Sequence, residues 1–307
     1  MNSVWAPLAV AVAAFLWGTT GVVASAAPMV SPLTIGAVAM GLGGLLQASL
    51  ALRGMRHRHH LLLAQWRWWL VGAIAVAIYP LAFYSAMREA GVTVGNVVSI
   101  GAAPAFSAML ERVLDGRRVS LRWKVGIVVG VGGILVLGAS RSSGHSDALP
   151  AGPQALWGMA LGLVAAFTYA LYSYSAQRLM REGISSRYAM GAIFGGGGLL
   201  LLPLVVLTGA SLLSSWTSFA VGSYLAIVPM FLGYLCFGYG LSRVAASTAT
   251  TITLLEPVVA ALLAAAVVGE RLTSSGWLGI GMIFLCLLIV TLPMRKNRSS
   301  PITVSNE

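Results

Sequence analysis

LLEPVVAALLAAAVVGERL runs from Leu254 to Leu272. It is almost wholly hydrocarbon, yet a carboxylate stands beside a proline near its start, at Glu256–Pro257. An apolar stretch of about 20 residues, wound as a helix, matches the hydrocarbon core of a bilayer, about 30 Å thick. Such stretches recur along the chain. The 307 residues are 58% hydrophobic and only 9% charged, which leaves too little polar surface for a soluble protein of this size. The reading is an all-α membrane protein.

Breakers and hydropathy place ten spans near 5–26, 32–52, 67–87, 91–114, 122–140, 154–178, 186–208, 217–241, 244–268 and 274–293. The first has no Lys or Arg before it, so it reads as a retained span rather than a leader. Cys236 and Cys286 both fall inside spans, and no disulfide is expected. The formal charge of +11 does not point to nucleic acid, because the basic residues sit in short clusters between apolar runs. With the N-terminus in the cytoplasm, sixteen Lys and Arg fall on the inner side and three, Arg88, Arg141 and Arg271, on the outer. That asymmetry supports an even number of spans with both termini cytoplasmic.

The chain repeats itself. VAAF at Val12–Phe15 returns at Val164–Phe167, GRRVS at Gly116–Ser120 has a counterpart in GERLT at Gly269–Thr273, and Pro104 falls opposite Pro257. Two halves of five spans are expected, 1–145 and 146–293, followed by a cytoplasmic tail, 294–307. Five is odd, so the halves enter the membrane in opposite senses. Inverted repeats of this kind carry substrate sites near the midplane, at the seam between them.

Glu256 lies at the centre of its expected span, twelve residues from Val244 and from Val268, or about 18 Å from either end. A carboxylate there is costly unless paired, hydrated or protonated, and intramembrane ionisable groups are functional by default. Pro257 has no N–H, so the Thr253 carbonyl is expected to lose its helical partner, as is that of Ile100 ahead of Pro104. Apart from Glu256, the span interiors are expected to hold no charged side chain and no histidine. Asn96 falls opposite Ala249, on the helix face of Glu256, and is a second polar candidate.

Eight of the nine tryptophans lie near span ends, as an interfacial belt requires, whereas Trp17 is deep in the first span. Its repeat counterpart is Tyr169; one turn on, Thr20 matches Tyr172 and Gly21 matches Ser173. Tyr79 with Phe83 beside Pro80, and Tyr234 with Phe237, form further aromatic faces at i and i+4. The candidate substrate-binding set is therefore Trp17, Thr20, Tyr79, Phe83, Asn96, Tyr169, Tyr172, Ser173, Tyr234, Phe237, Thr253 and Glu256. Weaker signals are set aside. RHRHH at Arg56–His60 lacks the spaced ligands of a metal site, and GGGG at Gly195–Gly198 follows no strand and precedes no GK[ST]. Gly126–x3–Gly130 and Gly191–x3–Gly195 read as close helix packing.

Two five-span halves, FLWGTTGV at Phe15–Val22, LLEPV at Leu254–Val258 and GERLT at Gly269–Thr273 together resemble the EamA-type branch of the drug/metabolite transporter superfamily. Within that branch the similarity is to exporters of aromatic amino acids. The resemblance implies a basket-like, ten-span bundle in the cell inner membrane that exports amino acids and related metabolites from a central cavity by alternating access. In the family pattern the half-repeat signature ends in EP; Ala103–Pro104 stands there in the first half, so a mechanism with symmetric carboxylates is not expected. The expected partners are a small-molecule substrate and the lipid bilayer, with no nucleic acid, cofactor or metal, and the chain is expected to act as a monomer. The competing readings are an intramembrane enzyme acting on a lipid-linked substrate, which would need further acid, base or metal groups beside Glu256, and a different drug/metabolite carrier.

Overall fold

The computed structural model describes residues 5–57, 59–142, 153–268 and 273–292. Ten helical spans are present among them: Trp5–Ala24, Pro32–Met55, Trp66–Ala90, Val94–Asp115, Leu121–Ser140, Pro153–Arg181, Ser186–Leu213, Trp216–Leu241, Ala246–Val267 and Ser274–Thr291, numbered 1 to 10 below. The linker between the halves, the Gly269–Leu272 part of the second loop motif and the tail after Leu292 lie outside the described residues. A helix satisfies most of its backbone within its own segment, which is the condition for crossing hydrocarbon. Outward-facing side chains are apolar. Trp5, Trp66, Trp157, Trp216 and Trp277 are exposed near span ends, forming the interfacial belt.

The packing has the pattern of a two-fold exchange of the halves. Span 2 packs on span 7, span 4 on span 9 and span 5 on span 10, each an element against its own repeat mate. The contact of span 3 with span 6 is mirrored by span 8 with span 1. The fold is thus two inverted five-helix repeats closed into one bundle.

Small residues set the closest approaches. A Cβ on Gly195 would stand 2.5 Å from the Ala48 Cβ, and one on Gly130 would stand 2.7 Å from the Cys286 Sγ. The two glycine pairs seen in the sequence therefore join span 7 to span 2 and span 5 to span 10, within the molecule.

Four spans depart from the α-helix at the level of the seam, and span 7 closes in a 3-10 turn over Gly209–Leu213. Span 1 breaks at Thr19, whose hydroxyl donates back to the Leu16 carbonyl at 2.6 Å. Span 8 loosens into wide π turns over Ala226–Gly233, around Pro229. Spans 4 and 9 break at equivalent places. Val92–Gly101 gives way to Ala103–Asp115, and Ala246–Ile252 to Leu255–Leu263, each just before its proline.

This corrects two expectations. The Thr253 carbonyl is not left free, because the break tightens the turn and the Glu256 N–H donates to it at 3.0 Å. Because the axis is interrupted there, Ala249 and Glu256 sit on separate helices, and one helical wheel does not relate them.

Candidate substrate cavity

The four broken spans meet where the repeats face each other. Gly18 lets span 1 approach span 9 closely; a Cβ there would stand 2.9 Å from the Glu256 carbonyl oxygen and 2.6 Å from the Val259 Cβ. Gly233 likewise leaves room for the Trp17 indole, whose Nε1–H donates to the Pro229 carbonyl at 2.9 Å. Trp17 is thereby fixed as the floor of a cavity of about 390 Å³. Its ring lies 4.6 Å from Tyr234, 5.3 Å from Phe237 and 6.3 Å, edge-on, from Tyr169.

From this floor the cavity runs towards one end of the bundle. Its lining reaches Ser25 at the close of span 1, Met87 near the close of span 3, Asn96 near the start of span 4 and Ala264 near the close of span 9. Gly21 and Ser25, both exposed, form part of that wall. These are the span ends opposite to those carrying Arg53, Arg67, Arg112, Arg178, Arg187 and Arg243.

Nine of the twelve sequence candidates line the cavity: Trp17, Thr20, Tyr79, Phe83, Asn96, Tyr169, Tyr172, Tyr234 and Glu256. Three do not. Phe237 packs behind the Trp17 and Tyr169 rings. Ser173 is fully buried, on a face of span 6 turned away from the opening. Thr253 is buried behind the wall, where it donates to the Thr250 carbonyl and so must accept from the Tyr169 hydroxyl, at 2.9 Å. It acts on the cavity through Tyr169. Sequence reasoning missed Gly36, Met40, Tyr84, Met87 and Met230 in the lining. Phe83 and Met87 continue the i, i+4 face begun at Tyr79, and that spacing was there to be extended.

The polar groups of the cavity divide into engaged and free. The Tyr172 and Tyr234 hydroxyls share a hydrogen bond of 2.8 Å, and Tyr169 and Trp17 are committed as described. The buried Asn96 Oδ1 and Thr20 Oγ1 have no partner. Glu256 is the one acid among the lining residues, and no Lys, Arg or His accompanies it there.

At the other end the seam is shut. Glu111 of span 4 is 3% exposed, which overturns the expectation that Glu256 is the only charge inside a span. Its carboxylate accepts the Ser247 N–H at 3.1 Å and the Ser247 hydroxyl at 2.8 Å, at the start of span 9. One turn on either side, Ser107 bonds Thr250 at 3.2 Å, and Asp115 receives the Tyr174 hydroxyl at 2.6 Å together with the Arg178 and Arg181 guanidiniums. Gln177 of span 6 adds donation to the carbonyls of Leu241, the last residue of span 8, and of Val244 just after it. A row at i, i+4 and i+8 of span 4 thus ties the first repeat to the second.

The EamA-like transporter family profile matches residues 4–139 and 156–292. The chain belongs to this family. It is 31% identical to the uncharacterized transporter YwfM of Bacillus subtilis, over 95% of this chain and 96% of that one. It is 27% identical to the threonine/homoserine exporter RhtA of Escherichia coli, over 95% and 94%, and 27% identical to the uncharacterized inner membrane transporter YedA of the same organism, over 64% and 60%. A crystal structure of a protein sharing 19% identity superposes with a TM-score of 0.75, covering 93% of this chain and 96% of that one, and supports the fold. The protein is a multi-pass membrane transporter, and its family membership sets the lipid-processing enzyme aside.

Proposed function

We propose that this transporter exports amino acids with aromatic or other apolar side chains, and related small metabolites, across the cell inner membrane. The observation that carries the reading is the central cavity: seven aromatic rings and a single acid enclose about 390 Å³, within the range of about 300–1,000 Å³ typical of small-molecule sites. Such walls hold an apolar side chain by burial and ring contact. Trp17, Tyr79, Tyr169, Tyr172, Tyr234 and Phe83 grip the side chain, while Thr20, Asn96 and Glu256 meet its polar end. Phe237, Ser173 and Thr253 support those walls from behind.

The relative RhtA is named for export of threonine and homoserine, which supports amino-acid export as a class. The ring-lined wall favours larger apolar side chains, and a likeness to the aromatic amino-acid exporter YddG is part of the same proposal. The halves are taken as 1–145 and 146–293, with the tail 294–307 and both termini in the cytoplasm, on the strength of the basic-residue asymmetry. The cavity then faces outward, and the Glu111 row seals the cytoplasmic side. One bundle encloses the whole cavity, so a monomer suffices.

The test is flux. Protein reconstituted in vesicles loaded with single amino acids should release phenylalanine, tyrosine or leucine faster than empty vesicles do, and lysine or aspartate no faster. Equal release of all, or of none, would remove the reading.

A further inference from the structure

We infer that the cavity is an amine site: it recognises an ammonium group carried on an aromatic or apolar body and does not require the carboxylate. This deepens the amino-acid reading by naming which end of the ligand the protein reads.

Among the lining residues Glu256 supplies the one acidic group, and no cation is present to receive a ligand's carboxylate. The Glu256 carboxylate has no hydrogen bond or ion pair to any described residue. It lies in the first turn of the Leu255–Leu263 helix, so it already answers the positive end of that helix. A ligand carboxylate arriving there would find an acid and no cation. The backbone offers little more, since the Glu256 N–H is spent on the Thr253 carbonyl. The equivalent helix start in span 4, Ala103–Pro104, does not line the cavity.

The donors that line the cavity beyond the floor, the Thr20, Tyr79 and Tyr84 hydroxyls and the Asn96 amide N–H, are all neutral, and those on the floor are engaged. The Trp17 N–H goes to Pro229, the Tyr169 hydroxyl to Thr253, and Tyr172 and Tyr234 bond each other. A second acceptor, Asn96 Oδ1, stands buried and unpartnered in the same cavity. A single acid, the Asn96 acceptor and aromatic faces are together a complement for R–NH3+, whose three N–H groups donate and whose charge is attracted by the rings. A base finds an acid partner on this wall, and an acid finds only neutral donors.

The probes are phenethylamine, which keeps ring and amine, and 3-phenylpropanoate, which keeps ring and carboxylate. Binding is read by thermal stabilisation of the purified full chain in detergent, with phenylalaninamide and N-acetylphenylalanine as the second pair. Phenethylamine and phenylalaninamide should raise the melting temperature saturably; 3-phenylpropanoate and N-acetylphenylalanine should not. Glu256→Gln should weaken phenethylamine by about tenfold or more, as expected when one partner of a desolvated charge pair is neutralised. Should that variant not fold, the amine-against-acid comparison on the unaltered protein decides alone. Equal stabilisation by the two members of either pair overturns the proposal, as does full-strength phenethylamine binding by folded Glu256→Gln. The export reading is tested apart from this: amine binding without amino-acid flux removes export and leaves the amine site, whereas flux inhibited equally by both probes removes the amine site and leaves export.

Discussion

Spans 4 and 9 both run along the seam, and they behave oppositely in the two halves of its depth: Ala103–Asp115 packs on Ala246–Ile252, whereas the Asn96 and Glu256 segments border the cavity. Towards the basic end, Ser107, Glu111 and Asp115 each find a partner on the second repeat, and the helices close. Towards the other end, Asn96 Oδ1 is unpartnered and Glu256 faces a cavity. The chemistry of the side chains is similar; what differs is whether the protein completes it. Polar groups that satisfy one another make a seal, and those left incomplete make a site for a ligand that completes them.

Substitutions can break that contrast, and the largest effect belongs to the floor shared by both regions. Trp17→Ala removes a ring packed on Tyr169, Tyr234 and Phe237 and the bond to Pro229, and should cost about 3–5 kcal/mol in thermal melting of the purified protein. Next is the seal. Glu111→Ala strands the buried Ser247 N–H and hydroxyl and should cost about 1–3 kcal/mol by the same measurement. A smaller loss, about 1 kcal/mol, is expected for Tyr169→Phe, which deletes one hydroxyl contact to Thr253 and keeps the ring. Asn96→Ala lies at the bottom of the scale: its oxygen has no partner to lose, so stability should stay within about 0.5 kcal/mol of the parent, while vesicle flux falls. If Asn96→Ala destabilised the protein as much as Glu111→Ala, the distinction between the two regions would be wrong.

Much of the fold could be read without coordinates because bilayer thickness imposes a length on every span and the repeat imposes a pairing. The positions of Pro104 and Pro257 announced that spans 4 and 9 are mates, and the structure breaks both there. Trp17 and Glu256 stood out because each violates the composition around it. Other features needed three dimensions. Ser173 and Phe237 share helices with true lining residues, and a helical wheel gives their angular spacing but not how the helix is rotated in the bundle. Thr253 was placed on the wall because the span was taken as continuous, whereas the break turns it behind Tyr169. Glu111 escaped notice because it neighbours Arg112 near a span end and reads as an interfacial charge; only packing reveals it at 3% exposure. Its spacing from Ser107 and Asp115 was the available signal, three polar groups on one helix face.

The central claim is a seam open at one end and shut at the other, with the ligand entering the open part. Thiol labelling tests it most directly. With Cys236 and Cys286 replaced, single cysteines at Met87 and at Ser107 would be exposed to a charged maleimide in solubilised protein. Met87→Cys should label quickly and be slowed by saturating phenethylamine, while Ser107→Cys should stay unreactive. Fast labelling at Ser107→Cys with a silent Met87→Cys, or equal rates at both, would contradict the account.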